Sequence, residues 1–260
     1  MKVTVLGSGS GGNCTLVSTG ETCVLIDLGF GPRSLARRLR EANLAKARID
    51  AIFLTHGHLD HSSGVPSFVK TKRIPVYMSQ GTRKEAAGLQ EIENWKSLVS
   101  GTSLHIKDLE IEPFPISHDA LQPMGFRLSA GGKCGAVATD LGELSLTVKS
   151  KINDCDWLVL ESNHDEELLR IGPYPWKIKQ RVLSRLGHLS NRMIADFLRR
   201  DYDGRTAHLF LAHLSRQNNE PEIALESARK ALCNRTRQGL FESCQVHLTY
   251  QGHPSEMISV

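Results

Sequence analysis

A chain of 260 residues with 40% hydrophobic and 23% charged side chains has an ordinary globular make-up and enough length to bury a substantial core. No apolar run approaches bilayer-spanning length, and residues 1–6 (MKVTVL) enter a strand directly without the apolar stretch of a secretory signal, so a cytoplasmic protein without membrane association is expected. Six scattered cysteines with no CxxC pair exclude a disulfide framework, and the net charge of only +4 hides two basic stretches: nine Lys/Arg against three Asp over 170–205, and six against one Glu over 33–48. Such stretches suit a polyanionic partner.

Residues 2–6, 14–19 and 22–28, rich in Val, Thr, Ile and Leu, read as strands joined by tight turns. The run Gly7-Ser8-Gly9-Ser10-Gly11-Gly12 contains GxGxxG after a strand. A dinucleotide fingerprint needs a helix next, whereas Cys14-Thr15-Leu16-Val17-Ser18 is an alternating β-branched stretch; no dinucleotide cofactor is expected. The loop's backbone N–H groups could still touch a phosphate. Pro32 opens a helix over 33–43, with Leu35, Leu39 and Ala42 on its apolar face. A buried strand over 51–55 precedes a helical turn near 64–71, a strand over 75–78 and a helix over 81–98. Strands over 103–117 break at Lys107-Asp108, and residues 126–129 and 134–138 flank Gly131-Gly132 like a hairpin. From 143 onward the pattern gives a helix, a strand over 157–161, helices over 165–201, a buried strand over 209–212, a helix near 221–235 and a strand near 245–250. With no repeat and no linker, the expectation is one α/β (α+β) domain over 1–260: two mixed, mostly antiparallel sheets flanked by helices.

The loop leaving the strand at 51–55 reads Thr55-His56-Gly57-His58-Leu59-Asp60-His61. His56 and His58 can chelate one ion, while Asp60 and His61 are placed to reach a second; imidazole and carboxylate suit Zn²⁺, Mn²⁺ or Fe. Three later strand ends each add a candidate just past a buried run: His118 (followed by Asp119), Asp140 and His213. The order HxHxDH, His, Asp and a late His resembles the metallo-β-lactamase superfamily over nearly the whole chain. That resemblance implies an αββα sandwich and two divalent ions. His56, His58 and His118 would hold one, Asp60, His61 and His213 the other, with Asp140 bridging and Asp27 supporting the ligands from behind. The blocks Glu161 to Asp165, Gly172 to Trp176, Gly187 to Asn191 and His213 to Asn219 resemble the YycJ/WalJ group of that superfamily, which implies a 5′-to-3′ exonuclease on DNA. The order Glu161, His188, His213 is similar to the acid-His-His order of β-CASP nucleases, but too few residues separate Glu161 from His188 for an inserted β-CASP domain.

Two ions about 3.5–4 Å apart can lower the pKa of a shared water and aim hydroxide in line with a phosphorus. The expected function is therefore a dinuclear metal-dependent phosphodiesterase, acting on DNA with a 5′ phosphate if the resemblance holds. The same ligands would also serve an RNA-directed nuclease or a small-molecule hydrolase of thioesters, lactones or β-lactams. Asp60 is expected to ligate and to orient the water. His188 stands before Ser190, a candidate N-cap for a helix from Asn191, where an imidazole beside a helix N-terminus can meet a phosphate or protonate a leaving group. Ser62, Ser63, Ser190 and Asn191 complete the expected phosphate contacts, and Glu161 backs the histidines. Lys177, Lys179, Arg181, Arg185 and Arg192 are candidates for a phosphate track. Tyr174 and Trp176 could stack bases but are expected to pack in the core. His164 is expected to be structural, and His105, His208, His247 and His253 to take no part.

Overall fold

The computed structural model describes residues 1–237 and 244–260. The chain divides into two units: Met1–Pro115 with Ala120–Lys133 and Tyr250–Val260, and Ile116–Asp119 with Cys134–Thr249. Among the described residues no helix is long and apolar enough to cross a membrane.

In the first unit the chain forms β1 (Lys2–Gly7), β2 (Cys14–Ser18), β3 (Cys23–Ile26), α1 (Pro32–Glu41), β4 (Ala51–Phe53), α2 (Leu59–Ser62), α3 (Val65–Lys72), β5 (Val76–Met78), α4 (Gln80–Glu85), α5 (Ala87–Gln90), β6 (Trp95–Ser97), β7 (Leu104–Ile106), β8 (Leu109–Pro115) and β9 (Met124–Ala130). Its last strand, β14 (Ile258–Ser259), completes a sheet of order β14-β1-β2-β3-β4-β5-β6. Pairing in this sheet is antiparallel from β14 to β3 and parallel from β3 to β6. One face buries Leu6, Leu16, Leu25, Ile52, Val76 and Met78 beneath α1 and α3, against Leu35 and Val65. Phe53 lies stacked on Tyr77 with centroids 4.7 Å apart, and edge-on to Phe126 of the β7-β8-β9 meander at 5.7 Å. Arg38 of α1 is buried, with no carboxylate partner among the described residues. Its guanidinium donates to the carbonyls of Leu6 and Gln251 and lies over the Phe30 ring, which ties the end of β1 to the C-terminal segment.

The second unit takes β10 (Lys133–Ala138) from Cys134 onward, then α6 (Leu146–Ile152), β11 (Trp157–Glu161), α7 (Glu166–Ile171), α8 (Trp176–Val182), α9 (Asn191–Arg200), β12 (His208–Ala212), α10 (Pro221–Arg237) and β13 (Gln245–Leu248). Strands β10 to β13 pair in parallel. All five residues of β11 are buried, the near-continuous apolar run expected of a parallel strand covered on both faces.

The sheets are mixed as expected, but parallel pairing is as prominent as antiparallel, which corrects the mostly antiparallel reading. The reason is that β4, β5, β11 and β12 are each entered through a helical crossover, which returns the chain in the same direction. The helix expected over 81–98 is instead α4, α5 and β6. Ser79 caps α4 through the Thr82 amide, Ala86 interrupts it in an extended conformation, and β6 pairs with β5. Gly131 and Gly132, at φ of 57° and 75°, make the anticipated two-residue turn after β9. Within the metal motif, residues 59–62 are a helical turn, α2, and not an open loop.

Phe53→Ala removes a fully buried ring that packs on two others, and should cost about 3–5 kcal/mol. Urea unfolding followed by circular dichroism measures it as a lowered midpoint at unchanged slope.

Candidate metal centre

In the first unit the expected ligands gather past the ends of the parallel neighbours β3 and β4. Asp27 follows β3 directly, in the left-handed region (φ 61°), and is 2% exposed. Its Oδ1 accepts from the Thr55 amide at 2.8 Å, and its Oδ2 accepts from His61 Nδ1 at 2.8 Å and the Thr55 hydroxyl at 2.9 Å. Having given its proton to Asp27, the Thr55 oxygen is left to accept from His56 Nδ1, 2.9 Å away. Both imidazoles are thereby held as the Nδ1–H tautomer, with the lone pair on Nε2. Asn13 supports this for His61: its amide nitrogen lies 2.9 Å from Nε2 and can only donate there. The His56 ring centroid is 4.6 Å from that of His58 and 4.2 Å from that of His61.

The backbone closes tightly around this cluster. The Asn13 amide donates to the Asp60 carbonyl at 2.7 Å, and the Leu28 amide to the His61 carbonyl at 2.8 Å. A Cβ on Gly29 would stand 1.7 Å from the Asp60 carbonyl oxygen, so only glycine lets the two segments meet. The Asp60 side chain is 23% exposed, beside the fully buried His61.

In the second unit the ends of β10, β11 and β12 deliver Asp140, Glu161 and His213 side by side. Asp140 (φ 58°) and His213 (φ 55°) again occupy the left-handed region. Glu161 is the hub. Its Oε1 accepts from Nδ1 of His188 at 2.9 Å and of His213 at 2.8 Å, and its Oε2 accepts from the amides of Leu141 and Leu189 at 3.0 and 3.1 Å. Burial alone would push the Glu161 carboxyl up, but His188 and the imidazole N–H donors hold it well below the usual range. Burial pulls His188 down, yet the adjacent Glu161 carboxylate leaves it net raised. His118 donates from Nδ1 to the Gly187 carbonyl at 3.2 Å, and burial lowers its pKa. His118 and His213 each lie 5.3 Å from His188 between centroids.

Asp140, Glu161, His188 and His213 present ligand-type atoms within 4.8 Å of one another, a spacing that could hold a metal ion. The four donors saturating Glu161 argue that it orients its neighbours and leaves coordination to them. The donor set, imidazoles of which five are held through Nδ1 beside carboxylates, fits divalent metals in both units.

Several residues expected to contact substrate have partners within the chain. The Ser62 hydroxyl donates to the carbonyls of Gly57 and His58, and that of Ser63 to Gly29; both close the loop. Ser190 caps α9 through the Met193 amide as expected, but its proton goes to Glu166 at 2.9 Å. Asn191 is 3% exposed, accepts from the Ser162 hydroxyl and donates to Asn219, a buried tie between the segments. Lys179 donates to the Arg170 carbonyl, while Arg181, Arg185 and Arg192 pair with Asp119, Glu143 and Glu166. Trp176, expected in the core, is 65% exposed. Both ring nitrogens of buried His164 lack a hydrogen-bond partner among the described residues, and burial lowers its pKa to about 4. His208 and His247 bond to each other at 3.1 Å across β12 and β13.

Sequence reasoning missed Asn13, Thr55, Glu85 and Asn163. Glu85 accepts from the amides of Gly57 and Leu121, and Asn163 donates to the His213 carbonyl. Thr55 was readable in principle, since it adjoins the motif. Asn13 ends a glycine run whose purpose becomes visible only when the loop meets Asp60.

Glu161→Gln places an amide donor against N–H donors in a fully buried position, and should lose at least about 1–3 kcal/mol. Urea unfolding in EDTA, which removes any metal contribution, is the measurement; an unchanged midpoint would mean Glu161 is not the hub.

The chain matches the β-lactamase superfamily domain over residues 22–210. The exodeoxyribonuclease WalJ of Streptococcus pneumoniae is 36% identical over 234 residues, 86% of this chain and 85% of that protein. The exodeoxyribonuclease YycJ of Bacillus anthracis is 33% identical over 256 residues, 97% of each chain. Among solved structures, the metallo-β-lactamase fold protein YhfI from Bacillus subtilis superposes with a TM-score of 0.71 at 18% identity, covering 97% of this chain and 98% of that one. Zn²⁺-bound PqqB from Methylobacterium extorquens gives 0.69 at 14% identity, with both chains covered in full.

Proposed function

The chain belongs to the metallo-β-lactamase superfamily, and from that membership we propose that it is a metal-dependent exonuclease that removes nucleotides from the 5′ end of DNA. The observation that carries this reading is identity of 33–36% to two exodeoxyribonucleases over most of the chain. The family match takes in stretches of both units, which supports treating the chain as one catalytic domain. A DNA substrate would place it in the cytoplasm.

In this proposal His56, His58 and His118 would hold one divalent ion and Asp60, His61 and His213 a second, with Asp140 contributing to both; Zn, Mn and Fe all suit the donors. Bound there, the metals would acidify a water and take up charge developing on the phosphoryl oxygens. The remaining work falls to the chain itself. Asp27 and Thr55 keep His56 and His61 in one tautomer and orientation. Glu161 does the same for His213 and His188. His188, 17% exposed at its side chain with Nδ1 engaged by Glu161, keeps Nε2 to meet the scissile phosphate or to hand a proton to the departing 3′ oxygen. Asp60, 23% exposed at its side chain beside the fully buried His61, orients the attacking water.

Wild-type protein supplied with Mn²⁺ should shorten a 5′-phosphorylated linear duplex stepwise from the 5′ end on a sequencing gel, and Asp60→Ala should leave it intact. Cleavage should stop on chelation and return with added metal. No cleavage by metal-replete wild type would remove the nuclease reading. His188→Ala should bind metal normally yet turn over about 10²–10⁴-fold more slowly, the range for a lost general acid. A wild-type rate in that variant would assign His188 a packing role.

A further inference from the structure

Residues 170–192 hold six lysines and arginines and no acidic residue. Helix α8 lies in the middle of this stretch, and little of it is buried. Lys179 is its one buried residue, Arg181 on the helix pairs with Asp119, and Arg185, just beyond its end, pairs with Glu143. Trp176, Leu183 and Leu186 are 65%, 53% and 51% exposed. Trp176 and Leu183 are seven residues apart, so they share one face of the helix. A tryptophan with two-thirds of its surface in water forfeits the burial that normally stabilises it, and an exposed aromatic on a basic helix has the composition of a nucleic-acid surface.

The segment also runs directly into the imidazole cluster. The Gly187 carbonyl accepts from His118 Nδ1, the Leu186 carbonyl accepts from the Asp119 amide, and the next residue, His188, is held by Glu161. Arg181, on the helix, pairs with Asp119, the neighbour of His118.

We propose that α8 is the platform on which the single-stranded end of the substrate lies, with Trp176 stacked on a base and Lys177 on the backbone. This rests on the nuclease reading above. Exposed cations on this stretch, Lys177 and the exchangeable Arg181 and Arg185, favour a polyanion over an apolar protein segment. Arg181 and Arg185 fit the same role, because exposed ion pairs are weak and can open toward phosphate. Stacking is tolerant of base identity, as an enzyme that removes successive nucleotides requires.

The test is steady-state cleavage of a DNA oligonucleotide with a 5′-phosphorylated single-stranded end, in Mn²⁺, by wild type, Trp176→Ala and Trp176→Phe, with the oligomeric state followed by light scattering. Trp176→Ala should raise KM about tenfold and Trp176→Phe should restore it. Lys177→Ala should lower the slope of log affinity against log salt by about 0.7, one single-strand phosphate contact. Equal KM values for all three proteins would overturn the platform. So would a loss of self-association in Trp176→Ala at unchanged KM, which would assign the face to a second copy of the chain. If wild type cleaves no DNA, the nuclease reading itself fails and the platform falls with it.

Discussion

Two buried carboxylates set the terms for everything around them. Asp27 and Glu161 are 2% and 0% exposed, and a carboxylate taken that far out of water is tolerated only when donors saturate it. Asp27 receives the Thr55 amide and hydroxyl and His61, while Glu161 receives two amides, His188 and His213. Each carboxylate thereby converts its own desolvation problem into an orienting device. The imidazoles that satisfy it are fixed in rotation and tautomer. The ligand geometry follows from electrostatics behind the ligands.

The backbone meets the same demand through conformations that most residues avoid. Asp27, Asp140 and His213 all have positive φ, and each follows within two residues of a strand belonging to a parallel array. Asp and His tolerate that region better than β-branched or bulky side chains do, so one short residue can both turn the chain and point a functional group back at the strand ends. The strain is held by neighbours. The Asn163 amide clamps the His213 carbonyl, and Asn219 in turn clamps the carbonyls of Ser162 and Asn163. Strain and its restraint occur together, as expected where geometry serves function.

How much of this was legible in the sequence depended on whether the signal was local. Strands β1, β2, β3, β11 and β12 were readable because buried strands announce themselves as β-branched or apolar runs, and the HxHxDH motif because its spacing is dense. The helix expected over 81–98 failed because a short strand, β6, earns its place only by pairing with β5, a contact that no window of sequence contains. The phosphate contacts expected of Ser62, Ser63, Ser190 and Asn191 were not decidable in the sequence for a related reason. Small polar residues beside a motif can serve substrate or scaffold equally well, and only the positions of their partners decide. All four hydroxyl or amide groups turned out to be occupied by carbonyls, a carboxylate or other amides.

The cations show the opposite behaviour, since their pattern in sequence persists in a changed sense. Arg181, Arg185 and Arg192 are paired with carboxylates brought from outside the basic stretch, so this surface is less positive than its sequence suggests. Exposed pairs of this kind contribute little to stability and are screened by salt. Their value lies elsewhere. The Arg181–Asp119 pair holds the poorly buried helix α8 beside His118, and under the proposal above such pairs exchange a protein carboxylate for a phosphate when a polyanion arrives. A surface built in this way need not be strongly charged at rest, which limits non-specific capture of nucleic acid while keeping guanidinium groups beside the imidazoles. In such an arrangement affinity would come from stacking and exchange of ion pairs, and the long-range pull on any polyanion would come from the small net charge of +4.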